Sequence, residues 1–166
     1  PDLKLKEIPK GSFQMGSETG FGNESPVRTV LISSDFWMSA TEITVGQWKA
    51  SGVKVEGGGG PDLSVDENLA VTGVRWDDAR SFVTKLNENL DALRVDLGLE
   101  EVPSDYEFRL PTEAEWEYAC RAGTTTPYNF EGGKEKLSDH GWFSENSDGS
   151  VQAVGLKPAN AWGLHD

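Results

Sequence analysis

Few residues in this chain have side chains suited to nucleophilic or metal chemistry: one cysteine, Cys120, and two histidines, His140 and His165. A lone cysteine cannot close an internal disulfide. A structural zinc site takes about four Cys or His ligands, more than the chain holds, and the spacing of these three matches no ligand motif. As a nucleophile Cys120 would need an adjacent base, and neither histidine is placed by the sequence to provide one. Ser138-Asp139-His140 has the residue types of a hydrolytic triad. Triad members, however, are normally brought together from separate segments, so this contiguous run reads as a turn. Glu113, Glu115 and Glu117 are spaced i, i+2, i+4, which puts Glu113 and Glu117 on one face of a helix. They could form a carboxylate pair for hydrolysis or metal binding. They are also accounted for without a ligand, because acids near a helix N-terminus cap it and oppose its dipole.

Charge narrows the remaining classes. With 28 Asp and Glu against 15 Lys and Arg, the formal net charge is −13, and phosphate repels such a chain. Nucleic acid and anionic membrane surfaces are therefore excluded as expected partners. No apolar run approaches the roughly 20 residues that span a bilayer. The length of 166 residues suits one domain, and neither an internal repeat nor a linker divides it. With 19 glycines and 8 prolines, much of the chain should be ordered loop. It opens at Pro1 with no start Met and no signal-peptide core, which reads as a trimmed or mature chain.

The elements that must position these groups follow from periodicity. Leu3 to Ile8 alternates, Pro9 to Ser12 breaks the pattern, and Phe13 and Met15 resume it, predicting a hairpin-like pair of short strands. Glu18 to Pro26 is a loop, Val27 to Ile32 a strand, and Asp35 to Met38 a continuation of the sheet. Thr44 and Gln47 fit a capping box opening a short helix that carries Trp48. Gly57 to Gly60 reads as a solvated loop. From Trp76, apolar residues at Ala79, Phe82, Val83, Leu86 and Leu90 mark one helical face; the helix is expected to run to about Leu93, with Gly98 as its stop and an acidic loop from Glu100 to Asp105. Thr112 and Glu115 form a second capping box, and Gly123 ends that helix. Trp116, Ala119 and Cys120 share a face there, so Cys120 is expected to be a buried small residue. Of the 6 Trp, most read as core aromatics, the alternative being a ligand-facing platform. Val151 to Val154 is a strand candidate.

Six blocks then carry a resemblance. They are Gly11-Ser12-Phe13-Gln14-Met15-Gly16-Ser17, Glu24-Ser25-Pro26, Ala40 to Trp48, Val71 to Ala79, Arg109 to Gly123 and Asn160 to Asp166. In this order, over essentially the whole chain, they resemble the sulfatase-modifying-factor family, which includes the formylglycine-generating enzymes. The match is strongest at Arg109, Pro111, Thr112, Glu115 and Trp116. The chain departs from the family at Arg75, where Ser is usual before the Trp, and at Ala70, where Pro is usual.

The resemblance implies an α+β, C-type-lectin-like fold with two main helices, small twisted antiparallel sheets and much ordered loop. Residues 1–166 then form a single domain truncated before its C-terminal part, which would be this chain's first partner. The Cys pair that binds copper and performs the oxidation lies in that part, so no catalytic residue is expected here. The parent would be an oxidase converting a Cys in a sulfatase-type Cys-x-Pro-x-Arg peptide to formylglycine. A non-catalytic lectin-like binding module and a non-haem iron enzyme forming sulfur–carbon bonds are the alternatives. The resemblance also implies structural Ca²⁺, with Asn146, Asp148 and Asp166 as candidate ligands. For Asn146 and Asp148 an Asx-type turn is the slightly preferred reading. Cys120 would form a disulfide with a cysteine outside this chain. The acidic charge and the calcium loops lean towards an exported protein.

Overall fold

The computed structural model describes residues 2–55, 60–88 and 106–166. Most of the Gly57 to Gly60 loop, the helix beyond Glu88 with its Gly98 stop, and the Glu100 to Asp105 loop lie outside the described residues. The chain divides into two compact units, each assembled from separate stretches of sequence.

One unit comprises Leu5–Ala40, Pro111–Asn146 and Gly155–Asp166. Strand β1 (Leu5–Ile8) pairs antiparallel with β4 (Phe36–Ser39), placing Ile8 opposite Phe36. Strand β2 (Gly11–Met15) pairs with β3 (Arg28–Ile32), placing Gly11 opposite Ile32. The expected hairpin between the first two strands does not form. Only Pro9 and Lys10 separate β1 from β2, and a two-residue hairpin turn needs positive φ at its first position, which the proline ring forbids; β1 and β2 instead pair with the returning strands β4 and β3. Pro9 and Lys10 face three residues, Ser33 to Asp35, across the gap between the two ladders, which is the count of a β-bulge. The bulge leaves Lys10 N–H without a ladder partner, and the Asp35 carboxylate accepts it at 2.7 Å.

Alternation along these strands sends Ile8, Phe13, Val30, Ile32, Phe36 and Met38 to one side, where they pack with Tyr118, Ala119, Trp162 and Leu164. Tyr118 lies between Phe13 and Trp162, with ring centroids 5.2 and 4.8 Å away. Its phenol explains Gly11, where a Cβ would sit 2.4 Å from the Tyr118 oxygen. Burial, together with the negative charge of Asp35, pushes the Tyr118 pKa above its ordinary value. On the outward side Leu31 and Trp37 are exposed.

The other unit comprises Pro1–Lys4, Thr41–Leu110 and Ser147–Val154. Helix α1 (Val45–Ser51) opens on the expected box: Thr44 Oγ1 accepts Gln47 N–H at 3.2 Å and Gln47 Oε1 accepts Thr44 N–H at 2.9 Å. Gln47 also donates to the carbonyl of Asp2 at 2.8 Å, tying down the start of the chain. Helix α2 (Trp76–Glu88) buries Phe82 and Leu86, and Phe82 stacks on Trp48 of α1 at 5.1 Å. The Val151 to Val154 strand reduces to one bridge, Ala153 to Leu69.

Candidate functional site

The segment with the strongest resemblance supplies the second capped helix, α3 (Glu113–Arg121). Arg109 donates to the carbonyl of Leu110 at 3.3 Å. Pro111 is exposed, immediately before the N-cap. Thr112 Oγ1 accepts Glu115 N–H at 3.2 Å, and Glu115 Oε2 accepts Thr112 N–H at 2.8 Å. Ala122 is the left-handed residue at the helix end, with φ 46°, one position before the expected glycine stop.

Two carboxylates of α3, Glu115 and Glu117, are held in structural contacts. Glu117 Oε1 accepts the N–H of Gly16 at 3.0 Å and forms an ion pair with Arg121 at 2.7 Å. The Arg121 guanidinium in turn donates to the carbonyls of Gly16 and Thr126, each at 3.2 Å. One Glu–Arg pair, with both side chains about four-fifths buried, therefore closes around the Gly16 peptide and holds the loop after β2 to the helix. Gly16 is required there: its φ is +97°, and a Cβ would lie 2.2 Å from the carbonyl oxygen of Glu24.

The three residues expected to share a face differ in burial. Ala119 is fully buried and Cys120 partly so, but Trp116 is 59% exposed. The face that packs on the sheets is centred on Tyr118 and Ala119, which turns Trp116 outward. Exposure of Trp76 at 65% makes the same point for α2, so the reading of most tryptophans as core aromatics fails at these two and at Trp37, while Trp48 is deeply buried. Cys120 is a free thiol. Burial pushes its pKa up; Arg121 opposes that rise and Glu117 adds to it, which keeps it in the unreactive thiol form at neutral pH.

Of the histidines, His140 ends a single helical turn, α4 (Leu137–His140), and stacks on Phe130 with centroids 4.0 Å apart. His165 Nδ1 lies 2.8 Å from the carbonyl of Lys157, so that nitrogen carries the proton. Among the described residues neither imidazole has a hydrogen bond with a Ser, Thr or Cys side chain.

Two of the three residues expected to give calcium its oxygen donors, Asn146 and Asp166, are already engaged. Asn146 Oδ1 accepts Phe143 N–H at 2.8 Å, which fixes the amide orientation; its nitrogen donates to the carbonyls of Gly141 at 2.9 Å and Ser138 at 3.4 Å. The Asp166 carboxylate accepts Lys157 N–H at 2.8 Å and Gly155 N–H. Asp148 is exposed, in left-handed backbone at φ 52°. Among the described residues no three His, Cys, Asp or Glu gather as a metal site. The residues present thus do not fit a calcium shell of six to eight oxygens.

Two residues that matter here escaped sequence reasoning. Asn160 donates to the carbonyls of Ala119 and Cys120 at 2.9 and 3.1 Å and accepts the N–H groups of Trp162 and Leu164 at 2.9 and 3.2 Å. It ties the last turn of α3 to the end of the chain, and its place in the Asn160 to Asp166 block was the available signal. Lys157 lies over the Trp142 ring at 3.9 Å, with no motif to announce it.

This arrangement, small antiparallel ladders on one capped helix with long ordered loops, is the α+β, C-type-lectin-like fold of formylglycine-generating-type proteins. PvdO from Pseudomonas aeruginosa superposes with a TM-score of 0.73 at 26% identity, covering 98% of this chain and 66% of that one. Treponema denticola variable protein 1 gives 0.72 at 23%, covering 97% and 68%, and CarF gives 0.57 at 21%, covering 99% and 76%. The chain belongs to the sulfatase-modifying-factor family, since the sulfatase-modifying factor enzyme 1-like domain matches residues 6–166. A formylglycine-generating enzyme of Mycobacterium tuberculosis (strain ATCC 25618 / H37Rv) is 46% identical over 70 residues, covering 35% of this chain and 23% of that enzyme. The chain thus spans about a quarter of the length of that relative and about two-thirds of the PvdO chain.

Proposed function

We propose that this chain is the scaffold part of a formylglycine-generating enzyme, whose oxidising Cys pair stands outside residues 1–166. The observation that carries this reading is the 46% identity over 70 residues to an enzyme of that name. The geometry supports the division of labour. Cys120 has its pKa raised by burial, and Glu117 and Asp166 hold backbone N–H groups. Such groups position loops and leave chemistry to other residues. Copper, when bound by the Cys pair, supplies the activation of O₂; this chain contributes the fold that presents the pair. The substrate class is a sulfatase-type Cys-x-Pro-x-Arg peptide.

The test is to incubate the full-length protein with such a peptide, copper and O₂, and to trap aldehyde with a hydrazide. Aldehyde formation is expected. Its absence from folded protein would remove the oxidase reading and favour a non-catalytic binding module on the same fold.

A further inference from the structure

The loops that the family resemblance assigns to calcium already contain a cation, the ammonium of Lys157. Its main chain is fixed at two points in the segment 155–166: the N–H donates to Asp166 Oδ1 at 2.8 Å, and the carbonyl accepts from His165 Nδ1 at 2.8 Å. Its side chain reaches the segment 137–146, where Nζ donates to the carbonyl of Ser138 at 2.6 Å and sits 3.9 Å from the centroid of the Trp142 ring. The buried Trp142 Nε1 has no hydrogen-bond partner, so the indole offers this assembly its negative π face and no oxygen. That surface suits an ammonium and gives nothing to a hard divalent ion, which takes oxygen ligands. A metal ion drawn to the Ser138 carbonyl would also meet a like charge 2.6 Å from that oxygen. The carbonyls of Ser138 and Gly141 receive the Asn146 amide as well.

We propose that Lys157 performs, between segments 137–146 and 155–166, the cross-linking that a bound cation would perform, so that these loops keep their conformation without calcium. The inference concerns this chain's own residues and does not depend on the oxidase reading.

Hydrogen exchange read by mass spectrometry on the full-length protein tests it locally, so calcium bound elsewhere does not interfere. Peptides covering 137–146 and 155–166 should exchange at the same rate in excess EDTA and in millimolar Ca²⁺. Lys157→Met keeps the apolar stem and removes the charge; it should raise exchange in 137–146 by about tenfold, as local opening becomes cheaper. Lys157→Arg keeps a cation able to stack on Trp142 and should recover most of that protection. Faster exchange of these peptides in EDTA would overturn the proposal, and so would wild-type exchange in Lys157→Met. Should Lys157→Met not accumulate as folded protein, the EDTA comparison on the unsubstituted protein decides alone.

Discussion

Helices α2 and α3 both begin with an acid at the third position reaching back to the N-cap, and they differ in what stands at the cap. In α3 the cap is Thr112, so both halves of the box form. In α2 it is Arg75, whose carbonyl accepts from Ala79 N–H at 3.0 Å. Asp78 accepts the Arg75 N–H at 2.8 Å and its Nε at 3.3 Å, but Arg75 has no hydroxyl to return the bond. The polar faces differ too. The Glu117–Arg121 pair of α3 is largely buried and grips the Gly16 peptide, whereas the Lys85–Glu88 pair of α2 is about half exposed. Trp76 stands 65% exposed with the Arg80 guanidinium 4.9 Å from its ring. The two ion pairs differ because Glu117–Arg121 grips the Gly16 loop, whereas α2 holds its loop through another residue, Asn87, whose amide donates to the carbonyl of Phe108 and accepts its N–H, each at 2.8 Å.

Four substitutions test how far the two helices differ. Glu117→Ala should have the largest effect, because it strands Gly16 N–H and the Arg121 charge together. The expected loss is about 2 kcal/mol, seen as a Tm about 4–8 °C lower. The equivalent change on α2, Lys85→Ala, should cost under about 0.5 kcal/mol; equal losses would erase the contrast. Thr112→Ala should cost about 1 kcal/mol in denaturant unfolding. Arg75→Ser completes the half box and should be neutral or stabilise by up to about 1 kcal/mol; clear destabilisation would mean the Arg75 side chain contributes more than its cap.

The pH dependence concerns Asp78. The hydrogen bond from Arg75 N–H chiefly holds its carboxyl below the ordinary value, against the opposing effect of burial. A depressed folded pKa contributes stability above the unfolded value of about 3.9, which is lost as pH falls through the folded value. Asp78→Asn should therefore flatten the stability profile below about pH 4 and leave its shape at pH 6–8 unchanged.

Much of the local structure was legible because it is written locally. Thr44 to Gln47 and Thr112 to Glu115 each fix a helix start within four residues, and the period of Phe82 and Leu86 gives the buried face of α2. Strand partners were not legible, since the choice between pairing β1 with β2 or with β4 depends on residues nearly 30 positions away. Nor was the outward turn of Trp116, which the packing of Tyr118 against the sheets decides. At the candidate site, residue type alone suggested an Asx turn at Asn146, whereas its amide oxygen accepts the N–H of Phe143, three residues before it. Lys157 could not be found that way, because its meaning comes from Trp142 and Ser138, brought near only by the fold.

The proposed oxidation by residues outside this chain leaves its thiol and carboxylates to hold structure. Aldehyde formation on a Cys-x-Pro-x-Arg peptide by full-length wild type and Cys120→Ala, assayed side by side with copper and O₂, tests that claim most directly. The account predicts aldehyde from both at rates within about twofold, since a buried thiol with a raised pKa takes no part in the step. Aldehyde from wild type and none from a Cys120→Ala protein with unchanged thermal unfolding would contradict it, and none from either would contradict the assignment of the activity itself.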